Sequence, residues 1–231
     1  IDGYSRDDVD AYAVESQRRA THARDNGYFD RSVIPVRDKN GLMILERDDF
    51  IKPDTTMEAL AGLRPSFEMM GNMAFDEIIL NKYNTLENIS HVHTPGNSSG
   101  IVDGASAVLI GSEQAGKDLN LTPRGRIVAG SILASDPIIM LAGPGPAAKK
   151  CLKTAGLTPN DIDLWEINEA FASVVLRFMQ AFDVDASKVN VNGGSIAMGH
   201  PLGATGAIII GTLLDELERT GQGTGMATLC V

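Results

Sequence analysis

Residues 190–206 read NVNGGSIAMGHPLGATG and set a single histidine, His200, among glycines at 193, 194, 199, 203 and 206. Glycine at this density lets a backbone turn sharply and approach a ligand with no side chain in the way. The run that follows, AIIIGTLLDELE, places Ile209, Ile210, Leu213, Leu214 and Leu217 at helical spacing and predicts a helix. His200 is therefore expected on a glycine-rich turn just ahead of a helix, where free backbone N–H groups favour negative charge. An imidazole there can carry or orient a proton beside a forming anion. The competing reading is a nucleotide phosphate loop. Neither GxxxxGK[ST] nor a GxGxxG between strand and helix is present.

The 231 residues suffice for one large domain or two small ones, and 43% hydrophobic against 22% charged residues predicts a buried core. Thirty Asp and Glu against twenty Lys and Arg give a net charge of −10, which argues against nonspecific nucleic-acid binding. No apolar run approaches the roughly 20 residues that span a bilayer. The opening IDGYSRDDVD is acidic and has no signal-peptide core. Two cysteines, Cys151 and Cys230, imply no disulfide framework, so a reducing, cytoplasmic compartment is the default expectation. The absence of an initiator methionine, and an end inside the strand-like GMATLCV, lead us to expect a piece of a longer protein.

Ser5 with Asp8 resembles a capping box for a helix that stops near Gly27. Its alanine and charge content predicts a surface position. Residues 29–36 read as extended, 38–41 as a turn, and 46–65 as polar and Pro-punctuated, so 1–92 is expected to be a loop subdomain. Residues 68–92 are compatible with helix or with strand and turn, and Met69, Met70 and Met73 read as core. His91 and His93 alternate like a metal pair, but no third ligand is near, so hydrogen bonding is the expectation. Residues 105–110 read as apolar helix or strand, with a helix following through GSEQAGKDLN. From 126 onward strands (126–135, 162–167, 189–191, 226–231) alternate with helices, which predicts an α/β layer fold. Cys151 falls on an alanine-leucine helix face and reads as a buried, inert thiol.

Asn168, His200 and Cys230 fall at the ends of three successive predicted strands, where open α/β sheets build their sites. Singly, Asn168 could cap the helix expected from Ala170, and Cys230 could be a buried strand thiol. Together they make an acid–base and anion-stabilising set for carbonyl chemistry. A thiol near an imidazole can become a thiolate. An amide and an imidazole can stabilise an oxyanion.

NEAFA at 168–172, GHPLGATG at 199–206 and ATLCV at 227–231 occur in that order, preceded by GNSSGIVDGA at 96–105. With these four motifs the chain resembles the thiolase family, the acetyl-CoA acetyltransferases and 3-ketoacyl-CoA thiolases. The resemblance is weakest at 68–92, which looks longer than the equivalent connection in many thiolases. It implies a layered thiolase fold of mixed sheets covered by helices, incomplete here. Residues 93–125 would close the N-terminal half, and 126–231 would form a truncated C-terminal half. It also implies that His200 activates a nucleophilic cysteine and binds the thioester oxygen, that Asn168 positions a water there, and that Cys230 shuttles protons. Ser99, Ala170 and Phe171 match positions lining the pantetheine tunnel. The nucleophile would lie upstream of Ile1, and an oxyanion glycine beyond Val231.

The implied activity is acyl transfer through an acyl-cysteine: cleavage of a 3-ketoacyl-CoA by CoA, or condensation of two acyl-CoA molecules. Acyl-CoA and CoA would be the ligands, CoA being a substrate, with no separate cofactor and no metal. By analogy a homo-oligomer is expected. Two alternatives stay open: a ketoacyl synthase on the same fold, which would typically place a histidine at 168, and a non-catalytic CoA-binding or assembly protein.

Overall fold

The computed structural model describes residues 1–230. The first helix, α1 (Arg6–Asp25), starts as the sequence predicts: Ser5 Oγ accepts from Asp8 N–H at 3.2 Å, and Asp8 Oδ2 accepts from Ser5 N–H at 2.8 Å. Its position is not the predicted one. Val9, Ala13, Ala20 and Ala23 are wholly buried, and Asp10, Ser16 and Gln17 are buried with them. Small side chains let a helix approach its neighbours closely, and the buried polar groups are bonded rather than solvated. Asp10 Oδ1 accepts from Asn97 Nδ2 at 2.7 Å, and Gln17 Oε1 accepts from Lys52 N–H at 2.8 Å. Alanine content was therefore a signal of tight packing, not of exposure.

A two-stranded hairpin follows, β1 (Val36–Arg37) antiparallel to β2 (Met43–Leu45). Asp38 Oδ1 accepts from the amides of Asn40 and Leu42 and closes its turn. Next come α2 (Met57–Ala61), α3 (Glu68–Met70), a π-helical segment at Gly71–Phe75, and α4 (Asp76–Lys82). The ambiguous 68–92 stretch is thus short helical pieces. Its methionines are not core: Met69 is 69% and Met73 66% exposed.

The short α5 (Glu113–Asp118) stands between long irregular stretches. The strand expected at 126–135 is absent. Ile127, Val128 and Ile132 are exposed, and no neighbouring strand among the described residues pairs with them, so an apolar run has no ladder to join. The apolar element expected at 105–110 is likewise irregular, with Leu109 and Ile110 exposed.

The ordered second half begins with α6 (Pro144–Ala155) and continues through β3 (Leu164–Ile167), α7 (Ala172–Phe182), α8 (Ser195–Met198), α9 (Leu202–Thr220) and β4 (Gly225–Thr228). β3 and β4 run parallel, Leu164 opposite Gly225 and Ile167 opposite Thr228. The strand expected at 189–191 is reduced to one parallel bridge, Val189 to Trp165. Val231, at the end of the last predicted strand, lies outside the described residues. Trp165 and Ile167 face a cluster built from Ala148 and Leu152 of α6 and from Val174, Val175 and Phe178 of α7. Trp165 meets Phe178 edge-on at 5.3 Å, and Phe178 stacks on Phe182 at 4.6 Å. Leu164 and Glu166 alternate to the other face, where α9 lies and Leu213 sits over Gly225. Helices therefore cover both faces of a small parallel sheet. Cys151, expected buried, is half-buried on α6. No helix among the described residues is long and apolar enough to cross a membrane.

Candidate active site

Residues 168 and 200 meet where β3 ends and α9 begins. Asn168 leaves β3 with its backbone N–H donating to Thr228 O at 2.9 Å, so the β3–β4 ladder fixes its position. It does not cap α7, which starts at Ala172 with Phe171 at the N-cap. Instead its side chain belongs to a buried polar chain. Ser195 Oγ donates to Asn168 Oδ1 at 2.5 Å, and Asn168 Nδ2 donates to His200 Nε2 at 3.3 Å. On the far side of the ring, His200 Nδ1 lies 2.6 Å from Thr205 Oγ1, which itself donates to Pro201 O at 3.2 Å.

These bonds assign the imidazole tautomer. The Thr205 hydroxyl proton goes to Pro201, so Thr205 accepts from His200 Nδ1–H. Nε2 then carries the lone pair and receives the Asn168 amide proton. Burial holds the His200 pKa below the ordinary histidine value. At neutral pH the ring stands neutral, with its basic nitrogen aimed at Asn168. The loop is held from a third direction by His200 N–H donating to Gly100 O at 2.8 Å. Gly199, at φ +90°, leaves no room for a β-carbon, which would fall 2.4 Å from Val102 Cγ2.

Cys230 follows β4 by two residues and is not part of this hydrogen-bonded chain. Its side chain leans on the α6–α7 core cluster, and burial raises its pKa. It is a protonated thiol at neutral pH.

Ser99, Ala170 and Phe171 do come together. Ser99 N–H donates to Ala170 O at 3.0 Å, and Ser98 bridges Phe171 in antiparallel fashion. The Phe171 ring is flanked by His93 at 4.8 Å and Phe67 at 5.8 Å. His93 is hydrogen-bonded, as its sequence context predicts, to Ser173 Oγ at 2.9 Å, and His91 Nε2 meets Asp76 at 2.8 Å. Among the described residues no group of three or more His, Cys, Asp or Glu side chains could hold a metal ion. A groove of about 410 Å³ runs between residues 102–106 and the start of α9, beside His200.

The sequence reading missed Thr205 and Ser195. Both lie inside the quoted 190–206 stretch, and Thr205, in the first turn of α9 five residues past His200, was the available signal. Thr205→Val in a full-length protein carrying this chain should lower kcat about tenfold, the scale of one hydrogen bond of about 1.4 kcal/mol, while Thr205→Ser retains activity. Equal turnover by the valine variant would remove Thr205 from the site.

A small parallel sheet lies between helix layers, and where β3 ends an amide meets the imidazole of the loop between α8 and α9, an arrangement of the kind that can stabilise an oxyanion. Comparison with known proteins makes the class specific. The pattern of the thiolase N-terminal domain matches residues 2–75, and that of the thiolase C-terminal domain matches 121–231. The acetyl-CoA acetyltransferase of Thiocystis violacea is 42% identical over 231 residues, covering 99% of this chain and 54% of that protein. The mitochondrial 3-ketoacyl-CoA thiolase of Homo sapiens is 42% identical over 229 residues, covering 98% and 53%. A crystal structure of human mitochondrial 3-ketoacyl-CoA thiolase in complex with CoA superposes with a TM-score of 0.84 at 40% identity, covering 98% of this chain and 52% of that one. The chain belongs to the thiolase family and has an incomplete thiolase fold, spanning about half the length of the relatives it matches.

Proposed function

We propose that this chain supplies the proton-handling side of a thiolase, and that the complete enzyme transfers acyl groups between CoA and 3-ketoacyl-CoA. The observation that carries the reading is the hydrogen-bonded chain Ser195–Asn168–His200–Thr205. In the degradative direction, neutral His200 takes the proton of a cysteine thiol supplied elsewhere in the enzyme. The thiolate attacks the 3-keto carbon, and the new oxyanion accepts a hydrogen bond from the His200 Nε2–H without taking its proton. The bond between the α and β carbons then breaks. The departing acetyl-CoA carbanion takes the proton of Cys230, leaving a Cys230 thiolate. That thiolate deprotonates an incoming CoA, whose thiolate attacks the acyl-cysteine; the shortened acyl-CoA leaves, and the expelled cysteine thiolate takes its proton back from His200. Asn168 Nδ2 donates to neutral His200 Nε2 and turns toward the new oxygen once that nitrogen carries the proton. The condensing direction is the same sequence reversed.

Ser99, Ala170 and Phe171 form the wall proposed for the pantetheine arm. Phe171→Ala should weaken CoA binding by about 1–3 kcal/mol in a calorimetric titration, the scale of one lost apolar contact. Unchanged affinity would place the arm elsewhere. The names of the relatives support an acyltransferase over a non-catalytic CoA-binding protein, and Asn168 favours a thiolase over a ketoacyl synthase. A homo-oligomer in a reducing, cytoplasmic compartment accords with the family resemblance and with two free thiols.

The test is to incubate the full-length protein with a 3-ketoacyl-CoA and CoA, follow acyl transfer, and map acyl adducts by mass spectrometry. Turnover with the adduct on a cysteine outside residues 1–231 supports the reading. No transfer, or an acyl group turning over on Cys151, sinks it.

A further inference from the structure

Glu169, next to Asn168, is fully buried and has no salt-bridge partner among the described residues, and each of its four bonds comes from a donor. Oε1 accepts from Tyr12 Oη at 2.7 Å and Asn190 Nδ2 at 3.1 Å. Oε2 accepts from Ser16 Oγ at 2.7 Å and Ile196 N–H at 3.1 Å. Gly194 N–H donates to Ser16 Oγ at 3.3 Å, which leaves the Ser16 hydroxyl proton for the carboxylate, and Tyr12 Oη lies 2.7 Å from Oε1 with its proton free to donate there. Asn190 itself cannot flip: its Oδ1 accepts from Ile167 N–H at 2.7 Å, and its Nδ2 donates to Ile167 O at 2.8 Å. Burial raises the Glu169 pKa above the ordinary carboxylate value, and the four bonds offset only part of that rise. A group that receives only donors fits the ionised, acceptor-only form.

The donors come from two separate parts of the chain. Tyr12 and Ser16 belong to α1, while Asn190 and Ile196 bracket the glycines that lead to His200. Gly194 lies so close that a β-carbon there would fall 2.5 Å from Glu169 Cδ. We propose that Glu169 is a positioning residue: its buried carboxylate clamps the 190–200 loop to α1 and so holds Ser195, Asn168 and His200 in register. The proposal rests on the acyl-transfer reading for its kinetic consequence, but not for its structural one.

The isosteric change is the informative one. Glu169→Gln keeps the shape but must turn an NH2 group toward either Asn190 Nδ2 or Ile196 N–H, neither of which can accept. A carboxyl that only fills space would tolerate the change. In the full-length protein Glu169→Gln is expected to lower kcat by 30-fold or more. Its nitrogen-15 histidine spectrum should lose the single Nδ1–H signature of His200. Tyr12→Phe removes one donor of four and should lower kcat 3- to 10-fold in a fully folded protein. If Glu169→Gln does not fold, Tyr12→Phe decides. Wild-type kcat together with an unchanged His200 signature, in whichever variant folds, overturns the proposal. If the wild-type protein shows no acyl transfer, the enzymatic reading fails, and the histidine signature still decides the clamp.

Discussion

His200→Ala in a full-length thiolase carrying this chain is expected to lower kcat about a hundredfold to ten-thousandfold, the range for losing a positioned general base. Alanine removes three things together. It takes away the basic Nε2 that faces Asn168, the Nε2–H that would meet the oxyanion, and the partner that orients the Asn168 amide. The fold should survive. His200 is only half-buried, and its loop keeps the His200 N–H to Gly100 O bond, which is backbone. CoA affinity should change little, since Ser99, Ala170 and Phe171 contact one another without the imidazole. The measurement is steady-state thiolysis with thermal melting alongside. A loss below tenfold in a folded protein would mean that another group moves the proton.

Gly193→Ala should be the most destabilising single-methyl change in the site. Gly193 sits at φ +77°, and its missing β-carbon would fall 2.6 Å from Ser16 O, 2.7 Å from Ala20 Cβ and 2.8 Å from Ala20 N. Those are mostly helix backbone atoms, which cannot rotate away. The left-handed conformation costs about 1–2 kcal/mol for alanine. Overpacking against a rigid neighbour adds about 1–3 kcal/mol. The sum is a large share of a typical domain's stability. Gly221→Ala is the control, because Gly221 has φ +71° with nothing within 4 Å of its β-carbon position. It should lose only the conformational part. Equal denaturation midpoints for the two variants would show that α1 does not press on the loop as described.

Local signals carried much of this structure. The Ser5–Asp8 cap, the 38–41 turn and the helices at 144–155, 172–182 and 202–220 were legible because each is set by residues a few positions apart. The meeting of Asn168 and His200 was expected, but only Asn168 sits at a strand end; His200 follows α8, and Cys230, expected with them, lies outside the hydrogen-bonded chain. What failed were the features that depend on distant partners. The helix α1 looked like surface because its sequence cannot reveal that Glu169, 153 residues beyond Ser16, receives its hydroxyls. The apolar run at 126–135 looked like a strand, but a strand requires a neighbour to pair with, and no local pattern supplies one. Thr205 was overlooked because a threonine inside a helix start reads as helix sequence, not as the acceptor for a histidine five residues back.

The burial of α1 has a consequence for how the molecule comes apart. Residues 2–75 and 121–231 are matched by two different domain patterns, yet Val9 and Ala13 share a core with Ala172 and Ile196. Melting therefore cannot follow the evolutionary seam: peeling α1 away bares Tyr12 and Ser16 on one side and strands the carboxylate of Glu169 on the other. The first twenty-five residues and the glycine loop near 200 gain and lose order as a single cooperative unit, so the amides of α1 share the slow hydrogen exchange of the glycine loop instead of fraying like those of a chain end.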